Sequence, residues 1–233
     1  WLAAGGVMEA IKAVLTKRVR NAFALVRPPG HHAHRDRAMG FCLFNNVALS
    51  ARYAMKIHGL HKILIVDWDL HHGNATQHTF YDDPDVLYFS THQYPHYPGT
   101  GGIAEVGSGE GAGFTVNVPL QPGHGDKEFY QIFKRIFVPL AGAFKPDLIL
   151  LSAGFDTYAG DPLGGMEVTS LIEGGEIIEQ LGERILGRTA AEDILDPYSD
   201  EVLAARDDVL DEQAVERCER VAAGAGLAGP HPA

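Results

Sequence analysis

Residues 63–77 read ILIVDWDLHHGNATQ, and this stretch decides the fold. Ile63, Leu64, Ile65 and Val66 form an aliphatic run, mostly β-branched, without polar alternation. Such a run fits a strand buried on both faces, as parallel sheets require. It stops at Asp67, after which Asp69, His71 and His72 follow within five residues. In parallel α/β sheets, ligands bind at the carboxyl ends of the strands, so ionisable side chains placed there are candidates for chemistry.

The pattern recurs on either side of this stretch. PDLILLSAGFD (residues 146–156) and DVLYFSTH (residues 85–92) read as further buried strands, and NAFALVRPPGHH (residues 21–32) as a weaker one. Helical patterns are predicted over residues 1–15, 45–57, 74–81 and 126–144. Strands alternating with helices predict a mainly parallel sheet covered on both faces. The predicted strands end in His31-His32, in Asp67 to His72, in Ser90 to His92 and in Asp156.

Composition narrows the classes of function. The 233 residues carry a formal charge of −11, which argues against a broad basic face for nucleic acid. No apolar run approaches the roughly 18 residues that a membrane span needs, and no signal peptide is evident. Two cysteines, Cys42 and Cys218, are too few for a disulfide scaffold and fit a reducing cytoplasm. The chain opens on Trp1, already within a helical pattern, which suggests a fragment. Residues 1–188 are expected to form the catalytic domain. Residues 189–233 are expected to be an acidic helical segment or tail, because residues 189–217 hold ten acidic side chains against Arg206 and Arg217.

One carboxylate and one imidazole two positions apart, Asp69 and His71, share a face in an extended chain and can converge on a cation. Asp156, at the end of another parallel strand, is the natural third ligand. A catalytic zinc takes three such ligands and keeps a fourth position open. His31 and His32, after a stiff Pro-Pro-Gly turn, supply candidates for a base, with Asp67 and Asn74 as partners that fix a tautomer.

Five motifs, in order, carry a resemblance: RPPGHHA (27–33), GFCLFNNVA (40–48), VDWDLHHGN (66–74), YPGTG (97–101) and SAGFDTYAGDPLGG (152–165). Together, over about residues 3–169, they resemble the zinc-dependent histone deacetylase family, which includes acetylpolyamine amidohydrolases and acetoin-utilisation proteins. Asn74 and DPLGG look closer to the class II branch and its bacterial relatives. The resemblance implies an arginase/deacetylase-like three-layer α/β sandwich that hydrolyses the acetamide of acetyl-lysine or an acetylated polyamine. It implies one Zn2+ on Asp69, His71 and Asp156, with His32 as general base oriented by Asn74, and His31 paired with Asp67 as electrostatic partner. Gly40, Phe41 and Tyr97 would line an acyl-lysine tunnel. A K+ ion would bind main-chain oxygens of Asp67, Asp69 and His71 together with Ser90 and Thr91, and a second, weaker cation would sit at Phe80, Asp83, Val86 and Phe114. Acetylpolyamine relatives often pair, which makes a homo-oligomer one possible state, although the sequence does not specify it. Two-metal arginase chemistry needs further carboxylates, and GFDTY offers one.

The chain departs from the family downstream. Active members carry a GGY motif whose tyrosine donates to the developing oxyanion; here Gly174 and Gly175 are followed by Glu176. Either a helix and most of a strand have been deleted between Thr169 and Leu171, or residues 170–186 are the helix that follows the DPLGG loop and the GGY strand is missing. Tyr198 is the one nearby substitute. Since loss of one oxyanion donor costs on the order of 10²–10³ in rate, the alternative function is a degenerate or fragmentary member that holds zinc and an acyl-amine without efficient turnover. The family's N-terminal portion, with its first strand and substrate-gripping loop, is also expected to be missing. A structural domain with incidental histidines would bind no metal.

Overall fold

The computed structural model describes residues 1–169, 172–173, 176–177, 194–195, 199, 201–206 and 208–224. It divides into two compact units, Trp1–Val168 and Thr169–Ala233.

In the first unit the elements run α1 (Leu2–Leu15), α2 (Asn46–His58), β1 (Ile63–Asp67), α3 (Asn74–Thr79), β2 (Val86–Gln93), β3 (Thr115–Leu120), α4 (Asp126–Ile132), α5 (Val138–Phe144) and β4 (Leu148–Ser152). A π-helical turn, Phe133–Phe137, joins α4 to α5, so the helix predicted over residues 126–144 is present with one wider turn. The four strands form a single parallel sheet in the order β3-β2-β1-β4. Placing β1 in the middle follows from its side chains: all five of its residues are buried.

Alternation along β1 feeds two cores. Ile63 and Ile65 pack with Ile11, Val47, Ala51 and Tyr88 beneath α1 and α2. Leu64 and Val66 pack with Phe89, Leu120, Ile132 and Phe144 beneath α4 and α5. Helices therefore cover both faces, giving the three layers expected. Each buried Ile, Leu, Val or Phe of these cores contributes about 1.5–3 kcal/mol through burial. The helix α2 is bounded by its own chemistry: Asn45 Oδ1 accepts from the Ala48 amide at 3.0 Å, and Gly59 ends it in the left-handed region at φ 69°.

Residues 21–32 correct the sequence reading. They are irregular rather than a strand, with Phe23 and Leu25 62% and 60% exposed. Pro28 and Pro29 lack ladder donors, and the described sheet ends at β3 and β4, so this segment has no neighbour to pair with. As an edge strand, β4 buries Leu150 but leaves Ile149 and Leu151 about half exposed.

Among its described residues the second unit holds two antiparallel strand pairs, β5 (Ile172–Glu173) with β6 (Glu176–Ile177) and β7 (Ile194–Leu195) with β8 (Val202–Ala204), followed by α6 (Glu212–Gly224). Ala204, Leu210, Ala214 and Val215 form its core. Asp211 Oδ1 caps α6 by accepting from Ala214 N at 2.8 Å, and Arg217 donates twice to Leu203 O. The helical alternative for residues 170–186 is not what the described part adopts, since Glu173 and Glu176 pair antiparallel. The two glycines between them in the sequence would each cost a helix about 1 kcal/mol. Gly174, Gly175 and Tyr198 lie outside the described residues. No helix among the described residues is long and apolar enough to cross a membrane.

Candidate metal centre

The sheet register sets Asp67 beside Ser90 of β2 and Ser152 of β4, so the last residues of β1 and β4 meet the middle of β2 in one row. Beyond Asp67 the extended geometry stops and residues 69–71 lie in a bend. Asp69 and His71 are thus brought together by hydrogen bonds rather than by the strand alternation expected. Asp69 Oδ1 accepts from the His71 amide at 2.8 Å, and Asp156 Oδ1 accepts from the Leu70 amide at 2.9 Å, tying the β1 and β4 loops together. Gly154 lies so close to both carboxylates that a Cβ there would collide with them, which explains a glycine at this position.

His71 Nδ1 lies 3.0 Å from Asp69 Oδ1 and 2.9 Å from Asp156 Oδ2. The ligand atoms of Asp69, His71 and Asp156 all fall within 4.8 Å of one another, and among the described residues no other trio of His, Cys, Asp or Glu does so. Two carboxylates and an imidazole nitrogen suit zinc with one coordination position left over. The electrostatics agree: hydrogen bonds to Asp156 and Asp69 raise His71 to about 9. Burial would raise Asp69, but the hydrogen bond from His71 and the neighbouring imidazoles bring it to about 2. The two carboxylates that hold the His71 proton would hold a metal ion in its place only once His71 releases it, so binding there is coupled to proton release.

His31 and His32 stand with ring centroids 4.0 Å apart and meet different partners. His31 Nδ1 donates to Asp67 Oδ2 at 3.0 Å. Burial, the largest influence on His31, pushes it down, but the Asp67 carboxylate outweighs it and carries the imidazole up to about 9. His32 Nδ1 lies 2.7 Å from the Asn74 amide oxygen, a neutral acceptor. Burial and the adjacent His31 hold it down to about 4. At neutral pH His32 is therefore uncharged, with its Nδ1 proton donated to Asn74 and the Nε2 lone pair free.

Tyr97 packs edge-on against His32 and His71, with centroids at 5.2 and 6.1 Å. Gly40 lies against the His32 ring, where a Cβ would collide with it. Phe41, next to it, has φ 62° and is 89% exposed. Ser90 Oγ bonds His92 Nδ1 at 2.9 Å, whereas Thr91 Oγ1 is buried without a hydrogen-bond partner. Asp83, from the second expected cation site, is taken up by Arg52 at 2.5 Å.

The sequence reading missed Tyr88, whose hydroxyl donates to Asp67 Oδ2 at 3.2 Å. Strand alternation could have found it, since Tyr88 stands two residues before Ser90, the register partner of Asp67. It also missed a second polar network. His72 Nε2 donates to Gln77 Oε1 at 3.0 Å and its Nδ1 accepts from Thr100 at 2.8 Å, while His92 Nε2 donates to Gly101 O at 2.9 Å. Glu105 accepts from the Gly101 and Gly102 amides and from Gln77 Nε2.

The histone deacetylase domain matches residues 1–186. The chain belongs to the histone deacetylase family. It is 45% identical over 210 residues to the human polyamine deacetylase HDAC10, covering 79% of this chain and 31% of that protein. A probable deacetylase of Archaeoglobus fulgidus is 48% identical over 169 residues, covering 72% of this chain and 47% of that one. The crystal structure of the HDA15 HD domain superposes with a TM-score of 0.70 at 51% identity, over 72% of this chain and half of that one. The family's arginase/deacetylase-like α/β fold is thereby established here, in a chain that spans less than half the length of these curated relatives.

Proposed function

We propose that this chain carries the catalytic centre of a zinc-dependent amidohydrolase that cleaves the acetamide of acetyl-lysine or an acetylated polyamine, releasing acetate and the free amine. The observation that carries the reading is the neutral His32, its Nε2 lone pair free, beside the triad Asp69, His71 and Asp156. Zinc held by that triad supplies Lewis-acid polarisation of the carbonyl and acidifies water.

The remaining chemistry falls to side chains. His32 takes the proton of the attacking water at Nε2 and returns it to the departing amine, while Asn74 holds its other nitrogen protonated. His31, kept cationic by Asp67, sets a positive charge beside the reacting centre and disfavours a second proton on His32 until one is delivered. Tyr97, with Gly40 and Phe41, would flank the aliphatic stem of the substrate amine. Asp67, Ser90 and Thr91 suit a structural K+, with the unpartnered Thr91 hydroxyl as supporting observation. The human relative is named a polyamine deacetylase, which keeps polyamines in the substrate class beside lysine. The reading takes the protein as cytoplasmic and metal-loaded, with residues 1–188 as catalytic domain and a homo-oligomer as one possible state.

The test is turnover of an acetyl-lysine peptide and of an acetylated polyamine by zinc-loaded protein. His32→Ala is expected to lower kcat by about 10²–10⁴, and Asp156→Ala to abolish both zinc retention and turnover. Full activity in either variant sinks the assignment. A second reading rests on Glu176 standing where the family has tyrosine: one zinc per chain, ligand binding and no turnover, partly rescued by Glu176→Tyr, would make the chain a binder.

A further inference from the structure

The hydrogen bonds around His32 do not end at Asn74. While Asn74 Oδ1 faces His32 Nδ1, its Nδ2 lies 2.9 Å from His34 Nε2 and also reaches Met39 Sδ at 3.7 Å. An amide NH2 can only donate, so His34 must accept at Nε2 and carry its own proton on Nδ1. His34 sits against α3, where Asn74 starts the helix and His78 lies one turn on, with ring centroids of His34 and His78 5.4 Å apart. The backbone amide of His34 is fixed to Arg37 O at 3.0 Å, which holds the ring in this position.

The three groups therefore form a chain with two self-consistent states. With Nε2 of His34 an acceptor, the amide turns its oxygen to His32, whose proton must sit on Nδ1 and whose Nε2 is the free base. With Nε2 of His34 a donor, the amide oxygen is needed at His34, and the NH2 turns to His32. His32 Nδ1 must then accept, its proton moves to Nε2, and the nitrogen facing the metal triad is no longer a base.

We propose that His34 is a positioning residue: its protonation state sets the orientation of the Asn74 amide and through it the tautomer of His32. This inference rests on the reading of His32 as general base. Burial and the nearby Arg37 and His78 push His34 below its ordinary range, with Asp36 opposing them, so His34 is neutral and accepting at neutral pH. Acidification then switches the amide and removes the base through a group that touches neither substrate nor metal ligands. The sequence reading passed over His34, which lies within RPPGHHAH but outside the motif RPPGHHA.

The test is the His32 tautomer, read from long-range 1H–15N correlations in zinc-loaded wild type, His34→Glu and His34→Lys, with kcat and KM for an acetyl-lysine peptide measured against pH. Glutamate can only accept once ionised, and lysine can only donate. His34→Glu is expected to keep the Nδ1–H tautomer of His32 to lower pH than wild type. His34→Lys is expected to show the Nε2–H tautomer at neutral pH and to lower kcat roughly tenfold or more with KM little changed, part of what a positioned base contributes. If the tautomer follows residue 34 but no variant, wild type included, turns over, the hydrolase reading falls while the positioning role stands. The same Nδ1–H tautomer in all three proteins across the pH range overturns the positioning role, whatever the turnover.

Discussion

Two groups of histidines gather where β1 and β2 end, and they differ in charge although both are largely buried. In one, His31 and His71 face Asp67, Asp69 and Asp156 and rise to about 9. In the other, His72 and His92 face Gln77, Thr100, Ser90 and the Gly101 carbonyl, and burial holds them at about 3 and 4. The partner, not the depth, sets the difference: a carboxylate repays the desolvation of a cation, and a neutral acceptor does not. Within the first group only His71 belongs to the proposed metal triad, while His31 stays paired with Asp67; the second group holds the loop that carries Tyr97 through Thr100 and the Gly101 carbonyl.

The comparison breaks most visibly at Asp67. It is fully buried and accepts from His31, from Tyr88 and, at 3.3 Å, from the Asp69 amide. Asp67→Ala leaves an imidazole and a phenol buried without their acceptor and is expected to cost about 3–5 kcal/mol in urea unfolding. In the same variant the His31 titration should move from near 9 to below 6.5 by NMR. A His31 that still titrates high would mean that Asp69, at 3.8 Å, is the dominant partner.

The second group sets the acid limb of stability. His72 and His92 titrate at about 3 and 4 in the fold against 6.5 unfolded, so below pH 6.5 the unfolded chain takes up protons that the native chain refuses. Their contribution is complete above pH 6.5 and declines as pH falls toward 4, at up to roughly 1.4 kcal/mol per pH unit for each histidine. Urea midpoints between pH 7 and 5 measure this slope. His72→Gln with His92→Gln should flatten it; an unchanged slope would assign the limb to His32, which is depressed in the same sense.

The contrast also marks what could be read from the chain beforehand. The sheet was legible in ILIV, LILL and VLYF because strands buried on both faces leave a continuous apolar signature. The trio Asp69, His71 and Asp156 was legible because each closes such a run. The means of convergence was not, because hydrogen bonds to the backbone amides of Leu70 and His71 bend the chain where alternation would have kept it straight. Residues 21–32 were misread because apolar content speaks for a strand only where a neighbour exists to pair with it. His72 and His92 were legible as strand-end residues but their network was not, since Gln77, Thr100, Glu105 and Asn117 are ordinary polar residues whose meeting depends on the loop after β2.

Glu105 offers the finest cut through that group. Its Oε1 accepts from the Gly101 and Gly102 amides at 3.0 and 2.8 Å, and its Oε2 from Gln77 Nε2, which leaves Gln77 Oε1 for His72 and for Asn117 at 2.7 Å. Glu105→Ala strands two backbone donors and one side-chain donor, an expected loss of about 1–3 kcal/mol in urea unfolding. Glu105→Gln should lose less, because one amide oxygen still serves the glycines; its NH2, however, meets the NH2 of Gln77, so one of the two amides must turn. If Gln77 turns, His72 loses its acceptor and the disturbance travels to Thr100, three residues from Tyr97. The loop that sets Tyr97 against His32 then loosens without any change at Asp69, His71 or Asp156. Zinc content should therefore stay at the wild-type level while KM for an acetyl-lysine peptide rises and kcat changes little. Loss of zinc in Glu105→Ala would show instead that the two histidine groups form one cooperative unit.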